Sequence, residues 1–143
     1  LNRLRIDLHN LRTLMRLKFA EREEPFHFLA GGFVETDKFV QGLDHNYDSL
    51  APLFYATPYY DLIDNGVRYF RDRQSFLNLE RGCEDILMGF LKTTRTLAAG
   101  PQPVMAYLLM KEAEIRTVRM LLVGRKNGLA GSLLLDRLGT WMG

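Results

Sequence analysis

Three features of the sequence predict an all-α fold. Apolar residues recur at spacings of three, four and seven in several separate stretches, as in helices with a buried face. Segments rich in proline and glycine, "LAAGPQP" above all, separate those stretches as helix stops and starts. No strand-like alternation extends beyond the neighbourhood of "FHFLAGGFV".

Taken in order, Leu4, Leu8, Leu11, Leu14 or Met15, and Leu17 trace the buried face of a first helix, with Arg5, Arg12 and Arg16 on another side. That helix fades before Pro25, because the residue preceding a proline avoids the α region. Gly31 and Gly32 read as a turn. A second helix follows, with Thr36 as its N-cap and Phe39, Val40 and Leu43 as a short apolar face. Pro52 and Pro58 cut the next stretch into short helical turns. Thr57 is placed to cap a helix that starts at Pro58 and carries Tyr60, Ile63, Val67 and Phe70. Gly66 is a weak point within it. A longer helix after Ser75 carries Phe76, Leu79, Cys83, Ile86, Leu87, Phe90 and Leu91. The helix after Pro101 runs to about Val123 and stops at Gly124. A weaker last helix, "LAGSLLLDRLGTWM", is interrupted by Gly131 and Gly139.

A chain of 143 residues suits one compact unit or pieces of two smaller ones. With 47% hydrophobic and 25% charged residues it has the makeup of an ordinary globular protein, with apolar material for a core that needs neither disulfide nor metal. The net charge of +2 singles out no partner. Cys83 is the only cysteine, which excludes an internal disulfide framework and fits a reducing compartment. It reads as a small core hydrophobe rather than a nucleophile. The longest uncharged apolar stretch, 96–110, is broken by Gly100, Pro101 and Pro103, so no membrane span is expected. "LNRLRIDLHN" carries charges throughout and reads as the middle of a helix, not a signal peptide, so a piece of a longer protein is expected.

The helix over 103–123 poses the main question, since "KEAEIRTVRMLLVGRKNG" packs Glu112, Glu114, Arg116 and Arg119 among apolar side chains. At about 100° per residue, Val104, Tyr107, Leu108, Ile115, Val118 and Leu122 share one face. Leu109, Ala113 and Met120 lie opposite, and Met110 and Leu121 fill a flank. Apolar residues on several sides predict packing on several sides. Glu112 and Arg116 stand four apart, acid first, the better orientation for an intrahelical pair. Arg119 continues their stripe. Glu114 lies elsewhere, near Lys111. The two acids therefore do not face each other and cannot serve as an acid and base across one substrate. The charges read as bracing, and Glu112→Ala is expected to lower thermal stability without abolishing any chemistry.

No enzymatic motif competes with this reading. His9, His27 and His45 lack zinc-site spacing, and there is no cysteine partner. No phosphate-binding glycine loop is present, so no nucleotide or other cofactor is expected. "GLAGS" is too loose for a nucleophile elbow, and Ser132 reads as a polar surface residue. The alternative is a basic helical nucleic-acid or partner-binding module, motivated by the stripe of Arg5, His9, Arg12 and Arg16 and by Arg68, Arg71 and Arg73. Asp61, Asp64 and Asp72 alternate with the last three and blunt a phosphate-tracking field, so no nucleic acid is expected.

An internal echo favours a repeated scaffold. "NLRTLMRLKFAERE" from Asn10 aligns, 104 residues later, with "EIRTVRMLLVGRKN" from Glu114. Arg12, Thr13 and Leu17 match Arg116, Thr117 and Leu121, while Leu11/Ile115 and Leu14/Val118 are close replacements.

These same segments resemble the central-stalk adaptor of V-type and archaeal-type rotary ATPases, known as the C subunit in prokaryotic complexes and the d subunit in eukaryotic ones. Pro103, Tyr107, Leu108, Lys111, Glu112, Glu114, Ile115, Arg116, Arg119, Gly124, Arg125, Gly128 and Leu129 follow the pattern of that family's last repeat. Thr117 departs from it, standing where asparagine is expected. Asp7, Asn10, Leu11, Arg12, Leu14, Arg16 and Lys18 resemble the matching element of the preceding repeat, and "ATPYYDL" a recurrent Thr-Pro-Tyr segment. The resemblance implies three similar helical domains forming a funnel, of which this chain would hold part: residues 1–74 the later part of one repeat, 75–143 the final one. It implies a non-catalytic role without cofactors, passing torque between the central-shaft subunits (D and F type) and the membrane proteolipid ring during proton or sodium transport. The implied location is cytoplasmic, peripheral to the membrane. Apolar surface left bare by a missing repeat would let this piece self-associate.

Overall fold

A computed structural model describes residues 1–20, 26–97 and 100–137. Every regular element among them is an α-helix: α1 (Asn2–Ala20), α2 (Thr36–Asp44), α3 (Tyr47–Leu53), α4 (Tyr60–Arg73), α5 (Leu77–Arg95), α6 (Gln102–Lys126) and α7 (Gly131–Arg137). The predicted all-α class is observed. The chain divides into two compact units, Leu1–Cys83 and Glu84–Gly143, with the division inside α5.

The first unit is built on α1. Leu4, Leu8, Leu11, Leu14 and Met15 are all buried, as their helical spacing predicts. Around them, the rings of Phe28, Phe39 and Phe54 follow one another at centroid distances of 5.4 and 5.6 Å. Two glycines let α4 and α5 come close. A Cβ on Gly66 would stand 3.2 Å from Leu79 Cδ1, and one on Gly82 would stand 2.5 Å from Leu62 Cδ1. Gly66 is thus a contact point rather than a weakness.

Several local expectations are corrected. Thr36 is the first residue of α2, and Glu35 occupies the N-cap without a side-chain bond. In α2 Val40 is exposed, while Phe39 and Gly42 carry the burial. The helix expected at Pro58 starts at Tyr60, and Thr57 braces the turn before it. Its Oγ1 accepts from the Tyr59 N–H at 3.3 Å and donates to the Phe54 carbonyl at 2.7 Å. Within α5, Leu79, Cys83 and Leu91 are buried as expected, but Phe90 is exposed and Met88 is buried instead.

In the second unit α6 continues past Gly124 to Lys126 and ends in a glycine-terminated turn. Gly128, at φ +72°, allows its own N–H to reach the Arg125 carbonyl and that of Leu129 to reach the Gly124 carbonyl. These two bonds satisfy carbonyls that a helix end otherwise leaves open. Gly124 does not end the helix but makes room beside it. A Cβ there would stand 2.4 Å from Leu134 Cδ2, so its absence lets α7 pack against α6. Gly131 begins α7 rather than interrupting it. Pro25, Ala98, Ala99 and Gly139, which bear on the expected end of α1, the turn before Pro101 and the break in the last helix, lie outside the described residues.

Multi-sided packing of α6 is not observed. Its buried stripe is Ala106, Ala113, Thr117 and Gly124. Val104, Tyr107, Leu108, Ile115, Val118 and Leu122, on the opposite face, are each more than half exposed. Small side chains permit close approach but contribute little to a hydrophobic pattern, so the pattern pointed at the wrong face.

Candidate functional site

The motif residues of α1 point outward from one rod to four other segments of the first unit. Asn10, fully buried, pairs with the backbone of Leu29 as a strand neighbour would: Nδ2 donates to the carbonyl at 2.8 Å, and Oδ1 accepts from the N–H at 2.9 Å. Asp7, equally buried, accepts from the N–H groups of Phe33 at 3.1 Å and Val34 at 3.2 Å, and from the Tyr59 hydroxyl at 2.8 Å. A buried carboxylate is tolerable only when its oxygens are satisfied in this way. Burial, then the hydrogen bond to Asp7 and its charge, push the Tyr59 hydroxyl well above the usual phenol range.

Toward the end of α1, Lys18 points its ammonium at the last carbonyls of α2. Nζ donates to Gly42 at 3.1 Å, to Leu43 at 3.0 Å and also to His45. A cation at a helix C-terminus complements both the open carbonyls and the helix dipole. Desolvation lowers the Lys18 pKa, and Asp44 opposes that shift. On the remaining side Arg12 Nε and Arg16 Nη2 hold the two oxygens of Glu80 on α5, at 2.7 and 2.6 Å. Two members of the basic stripe thus find their acidic partner within the chain itself. Arg68 pairs with Asp64 and Arg71 with Asp48, at 2.8 and 2.7 Å.

The α6 motif is arranged differently. Lys111 and Glu114 form an intrahelical pair at 2.7 Å. That bond holds the Lys111 pKa above its ordinary value. Glu112, Arg116 and Arg119 are exposed and have no ion-pair partner among the described residues, so the expected Glu112–Arg116 pair is not formed. Tyr107 is exposed, Gly124 lies under Leu134, and Gly128 closes the helix. The structure therefore brings Asp7, Asn10, Arg12 and Arg16 into one bracing system, while in α6 the Lys111–Glu114 pair stays within its own helix.

Tyr59, Lys18 and Glu80 complete the α1 system. Lys18 belongs to the family-like pattern, but nothing in its spacing links it to α2. Tyr59 and Glu80 lie 52 and 64 residues from their α1 partners, beyond the reach of local periodicity. No group of three or more His, Cys, Asp or Glu side chains able to hold a metal ion occurs among the described residues. Among those residues, no helix is long and apolar enough to cross a membrane. Asp7 has no exposure and three donors on its carboxylate, which leaves it no access to a substrate.

Fold and site together define an all-helical protein whose first unit is held to α1 by polar side chains, with Asp7 and Asn10 fully buried among them. Residues 1–136 match the family model described as "ATP synthase (C/AC39) subunit", and the chain belongs to that family. It is 26% identical over 136 residues to the C subunit of the V-type sodium ATPase of Enterococcus hirae, covering 93% of this chain and 41% of that protein. To the C subunit of the A-type ATP synthase of Halorubrum lacusprofundi it is 24% identical over 128 residues, covering 87% of this chain and 37% of that protein. The corresponding protein of Haloquadratum walsbyi gives the same figures. The chain thus spans about two fifths of the length of the curated relatives it matches. No solved structure matches it.

Proposed function

We propose that this chain is part of a non-catalytic central-stalk adaptor in a V/A-type rotary ATPase. It would link the rotating shaft to the membrane proteolipid ring and transmit torque for proton or sodium transport. The family match over residues 1–136 carries the reading. The construction of the first unit agrees with it. A torque-bearing part must resist shear between its segments, and α1 is tied by hydrogen bonds or ion pairs to the 29–34 stretch, the end of α2, the residue preceding α4, and α5. In this reading residues 1–74 and 75–143 belong to successive repeats, and the protein works at the cytoplasmic face of the membrane without crossing it.

The test is capture. The purified chain is mixed with purified shaft subunits of the D and F type and, separately, with detergent-solubilised proteolipid ring, and each mixture is analysed by size-exclusion chromatography. Co-elution with either supports the adaptor. Failure to bind both, with steep salt-sensitive binding to generic DNA instead, would favour a nucleic-acid module.

A further inference from the structure

Helix α5 is clamped near its start and loosely built toward its end. We propose that it carries a yield point at Gly89, from which its C-terminal part opens while residues 77–88 stay helical. Near the start, Leu79 lies against Gly66, Gly82 lies against Leu62, and Glu80 receives Arg12 and Arg16. Leu79, Cys83 and Met88 are buried. Gly82 is a glycine for steric reasons. Gly89 is not: it is exposed, and a Cβ on it would meet no packed neighbour within 4 Å among the described residues.

A glycine without a packing role only weakens its helix, because it forgoes the roughly fivefold preference of alanine for the helical state. The side chains one turn on act in the same direction. Thr93 Oγ1 donates to the Gly89 carbonyl at 3.1 Å, and Thr94 Oγ1 donates to the Phe90 carbonyl at 2.8 Å. Such hydroxyls compete with the backbone N–H for the same oxygen, and helices bend where they do so. Both fall on the carbonyls that the glycine already loosens. Of the α5 residues beyond Gly89, Leu91 is buried and Thr94 half-buried, while Phe90, Lys92, Thr93 and Arg95 are exposed. Opening this part therefore uncovers one large buried side chain and little else. Bending imposed on α5 from its C-terminal end is taken up at Gly89 before it reaches the contacts of Glu80 with Arg12 and Arg16. This inference rests on the residues of α5 and stands apart from the stalk reading.

Amide hydrogen exchange on the purified chain, read residue by residue by NMR, tests it. The N–H groups of Thr93, Thr94 and Arg95 bond along the helix to the carbonyls of Gly89, Phe90 and Leu91. Their protection should be lower than that of Cys83 and Met88 by about tenfold or more. Fraying of the last turn alone would give the same contrast, but it leaves residue 89 helical in the open state. Gly89→Ala separates the two. With a yield point at residue 89, alanine should slow exchange at 93–95 about fivefold. With fraying alone it should change nothing there, and that result overturns the proposal. Gly82→Ala, on the clamped side, should not slow exchange at 93–95. Protection at 93–95 equal to that of Cys83 in the parent chain, or a slowing by Gly82→Ala that matches Gly89→Ala, overturns the proposal as well.

Discussion

The Tyr59 hydroxyl donates to Asp7 Oδ2 at 2.8 Å, joining the residue before α4 to the centre of α1 across 52 positions of sequence. Tyr59 is 1% exposed and Asp7 fully buried, so neither group can exchange its partner for water. Removing the hydroxyl leaves Asp7 with two backbone donors and a bare region on one oxygen. Tyr59→Phe should therefore cost about 1–3 kcal/mol, read as a lower urea midpoint with unchanged slope. A double-mutant cycle with Asp7→Asn should show strong coupling, because the residues are direct partners. Independent, additive effects would show that the bond contributes little.

The same pair makes stability fall at alkaline pH. The Tyr59 pKa is raised from 10.0 by burial and by Asp7, so the folded state keeps a proton that the unfolded state releases. The stabilising contribution is complete below pH 10 and is lost as pH climbs from there toward the folded value. Lys18 acts the other way. Its lowered pKa makes the unfolded state the better proton binder just below 10.5, so stability rises with pH in that window. The Tyr59→Phe variant separates the two. Between about pH 10 and 11 the parent chain should lose more stability than the variant, in unfolding curves at matched ionic strength.

Gly32 makes a sterically sharper prediction. A Cβ on it would lie 2.0 Å from Asp7 Oδ1 and 3.0 Å from Cγ. The carboxylate cannot step aside, because the N–H groups of Phe33 and Val34 and the Tyr59 hydroxyl hold it. Gly32→Ala should destabilise by at least the roughly 1–3 kcal/mol of an overpacked core. By contrast, Gly128→Ala meets no neighbouring atom, and its penalty comes only from the left-handed φ of +72°, about 1 kcal/mol. Thermal melts that rank the two variants in the opposite order would contradict this account of Asp7.

How much of this was legible in the sequence depends on what each helix packs with. α1 buries large aliphatic residues at regular spacing, so Leu4, Leu8, Leu11 and Leu14 announce both the helix and its face. α6 buries Ala106, Ala113, Thr117 and Gly124, which carry almost no hydrophobic signal, and its large apolar residues point away from that contact. The helix itself could be read there, but its orientation could not. Asp7, Asn10, Arg12 and Arg16 stood out through the family-like pattern. Their partners Tyr59, Leu29 and Glu80 depend on how the chain folds back, which no local spacing encodes.

Glu80 and Glu112 separate bracing charges from surface charges. Glu80 receives Arg12 and Arg16 from another helix, with 34% of its own side chain exposed and 25% of that of Arg12. Water screens part of the attraction, so the two contacts together stabilise by about 1 kcal/mol, at the upper end for exposed pairs. Glu80→Gln should lose about that much, with the loss shrinking as salt is raised. Glu112 is exposed and has no ion-pair partner among the described residues, which overturns the expectation that its removal destabilises the chain. Glu112→Ala should stay within about 0.5 kcal/mol of the parent, as surface substitutions away from special features do, when measured on dilute protein where self-association is absent. Equal losses for the two variants would mean that α6 is held by its charges after all, and that the bracing does not reside in α1.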